Sequence, residues 1–161
     1  MHELEIVEAD LTQSEHQQAI VALLDTYSQD PMGNGAPLAD DIRARLIPGL
    51  REHPTTLVLL ARLSGVPVGL AICFRGYSTF AARPLINIHD LVVVPEQRGR
   101  GVAQQLLEAV AQKGRSLGCC KLTLEVLENN QRARHVYETA GFRQATYQAD
   151  NGGALFLAKP L

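Results

Sequence analysis

Apolar and polar positions along this chain change period several times, and the changes lay out its elements. Leu4 and Ile6 alternate with Glu3 and Glu5, the two-residue period of a strand. Ala19, Ile20, Leu23, Leu24 and Tyr27 recur at helical spacing. Residues 30–37, Asp-Pro-Met-Gly-Asn-Gly-Ala-Pro, are a dense turn signal. Leu38 to Leu50 predicts a second short helix, stopped at Pro48-Gly49. Residues 56–63 and 66–74 predict a hairpin around Ser64-Gly65. A loop over 76–84 leads into a long central strand over 85–94. A helix over 101–117, a strand over 121–127 and a helix over 130–140 follow. Two closing strands, 142–147 and 154–158, are expected around the turn Asp150-Asn151-Gly152-Gly153. The order β-α-α-β-β-β-α-β-α-β-β predicts an α/β chain, with a mixed sheet and helices on both faces. No repeat or linker interrupts it, so one domain over 1–161 is expected.

Composition narrows the partners. A chain of 161 residues with 46% hydrophobic content can bury a core. Its 15 basic and 17 acidic residues leave a formal charge of −2, with no global basic field for nucleic acid. No apolar stretch is long enough to span a bilayer. The first residues, Met1-His2-Glu3-Leu4-Glu5, lack the basic and apolar regions of a signal peptide. Three cysteines, Cys119 and Cys120 adjacent, form no disulfide framework, and a cytoplasmic location is expected. The five histidines show no metal-ligand spacing, so no metal is expected.

The stretch Arg98-Gly99-Arg100-Gly101-Val102-Ala103 carries the most chemistry. It follows the β-branched run Leu91-Val92-Val93-Val94 and opens a helix whose apolar positions include Leu106, Leu107 and Val110. A glycine-bearing turn between strand and helix lets backbone approach a ligand closely. The helix start offers unpaired N–H groups and the positive end of the helix dipole, an anion site suited to phosphate. Arg98 and Arg100 add charge there. The spacing is neither the three-glycine dinucleotide fingerprint nor the P-loop.

Arg-x-x-Gly-x-Ala after a strand ending in Val94-Pro95 resembles the acetyl-CoA-binding motif of the GCN5-related N-acetyltransferases (GNAT). Asn130-Gln131-Arg132-Ala133-Arg134-His135-Val136-Tyr137, followed by Gly141-Phe142, resembles the family's second signature. The resemblance covers residues 57–142. Tyr77-Ser78-Thr79-Phe80 through His89-Asp90-Leu91 is similar to the diamine and polyamine branch, which usually has Glu-Asp where this chain has His89-Asp90. The resemblance implies the GNAT acyl-CoA N-acyltransferase fold, a mixed, mostly antiparallel sheet flanked by helices. It implies acetyl-CoA as donor, a small-molecule primary amine (diamine, polyamine or amino-acid-like) as acceptor, and a homodimer. It also implies a cofactor surface of Leu91, Val92 and Val93 through their backbone, Arg98, Gly99, Arg100, Gly101, Val102 and Ala103 at the turn, and Asn130 and Ala133 on the later helix. Tyr27, Asp30 and Met32 flank the loop where the family's acceptor pocket usually forms.

Amide formation from a thioester needs a neutral amine, donors for the tetrahedral oxyanion, and a departing thiolate. Positioning two substrates is the larger lever. The resemblance puts the Tyr137 hydroxyl near the cofactor sulfur as general acid; otherwise Tyr137 is a half-buried helix tyrosine packed on the sheet. Asn130 is an N-cap, a cofactor contact, or both. Strand alternation sends His89 and Asp90 to opposite faces, but the family commonly bulges here. His89 has the intrinsic pKa to take a proton from an ammonium near neutral pH, or is a polar strand histidine satisfied by a neighbour. Asp90 orients His89 or anchors the amine; such a carboxylate is not buried without a partner. Cys119-Cys120 read as packing residues rather than a nucleophile. Arg132, Arg134 and His135 read as a solvated face or a contact to the adenosine phosphates. Two other functions fit the same pattern: a protein or peptide acetyltransferase, and a non-catalytic acyl-CoA-binding module.

Overall fold

Leu60 and Leu70 are wholly buried at the centre of a sheet that carries helices on both faces. They belong to a computed structural model that describes residues 3–161. The chain divides into two units, one through Leu124 and one from Glu125 to Leu161. The first contains β1 (Leu4–Glu8), α1 (Ser14–Gln29), α2 (Asp40–Glu52), β2 (Thr56–Leu63), β3 (Val66–Ser78), β4 (Arg83–Val93), α3 (Val102–Ser116) and β5 (Leu122–Leu124). The second contains α4 (Gln131–Thr139) and a short 3-10 turn, Ala149–Asn151.

The strands lie in sequence order, β1-β2-β3-β4-β5. The first four pair antiparallel, while β4 and β5 pair parallel over Ile86–Ile88 and Leu122–Leu124. Alternating side chains give the sheet two faces. On one, Ile20 and Leu23 of α1 and Ile47 and Leu50 of α2 pack with Val58, Leu60, Leu70, Ile72 and Val92. On the other lies α3: a methyl group added to Gly69 would stand 3.0 Å from Leu106 and 3.1 Å from Val102. The mixed sheet with helices on both faces is as expected.

Four parts of the structure differ from the sequence reading. α2 runs through Pro48-Gly49 instead of stopping there. Pro48 only withholds an N–H from the carbonyl of Ala44. Ile47 and Leu50, buried on either side of it, hold the helix against the sheet, and the His53 N–H closes the last turn on the Gly49 carbonyl at 3.0 Å. The loop expected over 76–84 is mostly strand: β3 and β4 stay paired as far as Ser78 and Arg83. The last two strands are absent. Residues 142–147 and 154–158 form no ladder; the Ala154 N–H to Ala145 carbonyl bond, 2.8 Å, links the two stretches. Asp150-Asn151-Gly152 does turn, as a 3-10 turn. β5 is also shorter than the strand expected over 121–127.

Candidate active site

β4 carries one residue more than β3 opposite it. Ile72 pairs with Asp90 and Cys73 with Ile88, so His89 is the bulged residue. The bulge breaks alternation. Ile86 lies next to Gly114 of α3, whereas Val92, an even six residues on, packs in the α1/α2 cluster. Asp90 is in step with Val92. The His89 ring meets Phe74 edge-on at 5.6 Å, and Phe74 packs against the same cluster. His89 and Asp90 therefore share the α1/α2 side instead of dividing between the two faces.

β5 ends at Leu124, opposite Ile88. From His89 to Val93, β4 is hydrogen-bonded to β3 on one side and has no strand partner on the other among the described residues. That free edge includes Leu91, Val92 and Val93, and it leads into the glycine turn. Gly99 and Gly101 both adopt left-handed backbone, φ +75° and +81°, with open space where a Cβ would stand. Gly101 is the N-cap of α3 and has no side chain to cap with, so the first-turn N–H groups of Val102 and Ala103 face outward from a helix start of positive polarity. Arg100 reaches Gln97 Oε1 at 3.4 Å. The Arg98 guanidinium donates to the Val93 carbonyl from Nε at 3.0 Å and to Asp30 Oδ2 from Nη2 at 2.9 Å.

Asp30 stands where α1 gives way to the loop. Its Oδ1 accepts the Met32 N–H at 2.9 Å, and its carbonyl accepts the N–H groups of Gly33 and Gly35. Gly33 has no alternative: a Cβ there would lie 2.2 Å from the Tyr27 carbonyl oxygen. Buried Ser28 donates to the Ala36 carbonyl at 2.7 Å and closes the loop. At its far end, Asp25 accepts the Leu38 N–H and pairs with Arg43 at 2.7 Å.

Tyr27, Asp30 and Asp90 sense one another. Burial raises the Tyr27 pKa, and the Asp90 and Asp30 carboxylates raise it further. Burial likewise raises the Asp90 pKa above the usual carboxylate range, opposed by the His89 charge. No hydrogen bond or ion pair reaches the Asp90 carboxylate among the described residues; a part-buried carboxylate in that position costs free energy until a cation or proton arrives. Nearby Cys73 is buried, and desolvation pushes its thiol up to about 12, so it is not a nucleophile at neutral pH. Cys119 and Cys120 are part-buried, with backbone N–H groups bonded to Gly114 and Pro84.

In the second unit, Asn130 caps α4 by accepting the Ala133 N–H at 3.2 Å. The Tyr137 ring lies 6.0 Å from Phe142, edge-on. Sequence reasoning did not single out His53 or Phe74. His53 meets Phe74 at 4.8 Å, and Phe74 meets His89 at 5.6 Å, so three rings touch in series next to Asp90. No spacing rule links residues 53, 74 and 89; only the strand register does. No group of three metal-ligating side chains occurs among the described residues.

Residues 18–142 match the model of the acetyltransferase (GNAT) family. The chain belongs to that family. It is 32% identical over 106 residues to thialysine N-epsilon-acetyltransferase of Bos taurus, covering 61% of this chain and 62% of that one. It is 29% identical over 105 residues to an uncharacterised N-acetyltransferase of Bacillus subtilis, covering 65% and 67%. The matched region thus spans under two thirds of the Bos taurus relative. Among solved structures, a probable acetyltransferase superposes with a TM-score of 0.80 over 97% of this chain and 99% of that one, at 20% identity. An aminoglycoside N-acetyltransferase in complex with CoA gives 0.76 over 100% and 97%, at 22% identity. These likenesses establish the GNAT fold expected from the two signatures.

Proposed function

We propose that this GNAT protein transfers the acetyl group of acetyl-CoA directly to a primary amine of a small molecule. The observation that carries the reading is the bulge at His89. There β4 is free of β5, and there an unpaired, part-buried carboxylate stands beside an imidazole on the acceptor side. The free β4 edge at Leu91, Val92 and Val93 suits the two amides of a pantetheine arm, which pairs as an extended peptide does. The outward N–H groups of Val102 and Ala103, the glycine backbone at 99 and 101, and Arg100 suit the pyrophosphate. The CoA-bound neighbour supports this use of the fold.

In this reading Asp90 attracts the acceptor ammonium, since a cation there removes the penalty of an unpaired, part-buried carboxylate. Histidine 89 accepts the proton that leaves the amine. The neutral nitrogen then attacks the thioester carbonyl carbon. The C–S bond breaks as the tetrahedral intermediate collapses, the thiolate takes its proton from the Tyr137 hydroxyl, and the second proton on the nitrogen, now part of the amide, leaves to solvent, from which Tyr137 is reprotonated. Tyr137, Asn130 and Ala133 enter on their match to the second signature. The two units act as one domain, which the family match across their boundary supports. Tyr27 and Met32 line the acceptor side. The relative that acts on thialysine supports a small amine carried on an amino-acid-like body. A cytoplasmic homodimer completes the reading, and its mass is measurable by light scattering.

The test has two parts. Calorimetry with CoA is expected to show binding by the wild type and its loss in Gly101→Asp, which sets a carboxylate where the pyrophosphate belongs. With acetyl-CoA and a panel of amines, read as thiol release, Tyr137→Phe is expected to lower kcat by about 10²–10⁴-fold, the range of general acid–base catalysis. No CoA binding by the wild type, or unchanged affinity in Gly101→Asp, refutes the cofactor site. Wild-type kcat in Tyr137→Phe removes the acid role.

A further inference from the structure

Arg98 and Asp30 stand 68 residues apart, one in the turn before α3 and the other at the start of the loop after α1. Their ion pair is well shielded, with side chains 24% and 12% exposed. A shielded pair repays its desolvation only when further hydrogen bonds hold its geometry. Those bonds are present. Arg98 Nε also holds the carbonyl of Val93, the last residue of β4. Asp30 Oδ1 also holds the Met32 N–H, and the Asp30 carbonyl holds Gly33 and Gly35. One guanidinium thus joins three pieces of chain: the end of β4, the glycine turn, and a loop closed on itself by Ser28 and Asp30.

We infer that Arg98 and Asp30 are positioning residues: a strap that fastens the acceptor loop, residues 30–36, to the turn that receives the cofactor phosphates. The inference rests on the cofactor reading above. Two of the five N–H donors of Arg98 are committed to Val93 and Asp30, which holds the guanidinium toward the loop; in this inference phosphate contact falls to the α3 backbone and Arg100. The Arg98 guanidinium already balances the Asp30 charge, and each Asp30 carboxylate oxygen accepts a hydrogen bond, one from Arg98 and one from the Met32 N–H; in this inference the part of amine anchor falls to Asp90. A ligand that stiffens the turn stiffens the loop through the strap, so cofactor binding orders the acceptor side before the amine arrives. Such coupling is a free-energy link between two sites and needs a physical connection that both sites bias. Here the connection is a single ion pair.

CoA alone is a sufficient probe, and amide hydrogen exchange read by NMR reports on the loop residue by residue. In the wild type, saturating CoA is expected to slow exchange at Met32, Gly33 and Gly35 by about tenfold, within the usual range of site-to-site coupling. In Arg98→Met and in Asp30→Asn, CoA at a concentration that saturates each variant is expected to leave those amides unslowed. The double variant is expected to behave as either single one, because both remove the same contact. Arg98→Lys keeps a cation for Asp30 but loses the forked geometry that also reaches Val93. It is expected to retain part of the slowing, and it serves if Arg98→Met fails to fold. Failure of the wild type to bind CoA refutes the cofactor reading and the strap with it. CoA binding with no slowing in the wild type refutes the strap alone. So does full slowing in either single variant. A tenfold loss of CoA affinity in Arg98→Met with none in Asp30→Asn makes Arg98 a phosphate ligand and also refutes the strap.

Discussion

The two units of this chain treat apolar residues in opposite ways. In the first, Ile20, Leu60, Leu70 and Leu106 are wholly buried, and sheet and helices close over them. In the second, no residue from Glu125 onward is buried, and Leu155, Phe156 and Leu157 are 83%, 70% and 85% exposed. Local sequence does not explain the contrast. Residues 154–158, Ala-Leu-Phe-Leu-Ala, are as apolar as much of β2. What β2 has is a neighbour on each side, β1 and β3. A strand is defined by its partners, and an isolated two-stranded hairpin is marginal in water. Apolarity states a demand for burial; topology decides whether the demand is met.

The sharpest way to probe the first unit is at Asp90. Asp90→Asn is expected to lower kcat/KM at neutral pH by about 10²-fold or more, the scale of a lost charge-assisted contact combined with a disturbed base. Its effect on stability runs the other way. Folding raises the Asp90 pKa, so the folded state holds the proton more tightly than the unfolded one. The penalty is absent below the ordinary carboxylate pKa of 3.8 and grows as pH rises from there through the raised folded value. Asparagine removes it. Thermal melts are expected to show Asp90→Asn gaining stability over wild type, more at pH 7 than at pH 3. A loss at both pH values shows that the carboxylate is a structural contact.

Leu70→Ala set against Leu157→Ala tests the comparison directly. Urea unfolding is expected to lose about 2–5 kcal/mol for Leu70, whose side chain is wholly enclosed. Leu157→Ala is expected to stay within about 0.5 kcal/mol. Equal losses mean that the second unit buries its apolar residues in solution.

Much of the first unit is readable from pattern alone. The alternation of β1, the hairpin around Ser64-Gly65 and the period of α3 all survive, because each states a burial that the structure satisfies. α2 passes its proline because the apolar residues flanking Pro48 contribute more than one missing hydrogen bond costs. The closing strands fail because alternation carries no information about a partner. At the site, the glycine turn was visible as local chemistry, and the placement of His89 beside Asp90 followed from the family's bulge rather than from period two. The Arg98–Asp30 pair and the His53–Phe74–His89 line were not visible at all. Their members lie far apart in sequence, and only the register of the sheet and the path of the α1 loop bring them together.

The smallest effect is expected at the thiols. Replacing Cys119 and Cys120 by serine and Cys73 by alanine is expected to leave kcat within about threefold, since transfer is direct and the Cys73 thiol is held protonated. Parallel double-reciprocal lines, or an acetylated cysteine seen by mass spectrometry, overturn direct transfer.

The extra residue at His89 also sets what this strand tolerates in length. Ile86 belongs to one side of the sheet and Val92 to the other, although the count between them is even. The bulge acts as a frame shift in the pleat, and everything after it is read in the second frame. Substitutions along β4 alter one side chain each. Removing His89 would leave Ile88 followed directly by Asp90, the alternation that Cys73 and Ile72 already present, so the pleat would become regular while Val92 keeps its place in the α1/α2 cluster and Asp90 its side. The bulge is therefore a detachable part: the strand can lose it and keep its faces, and what leaves with it is the imidazole.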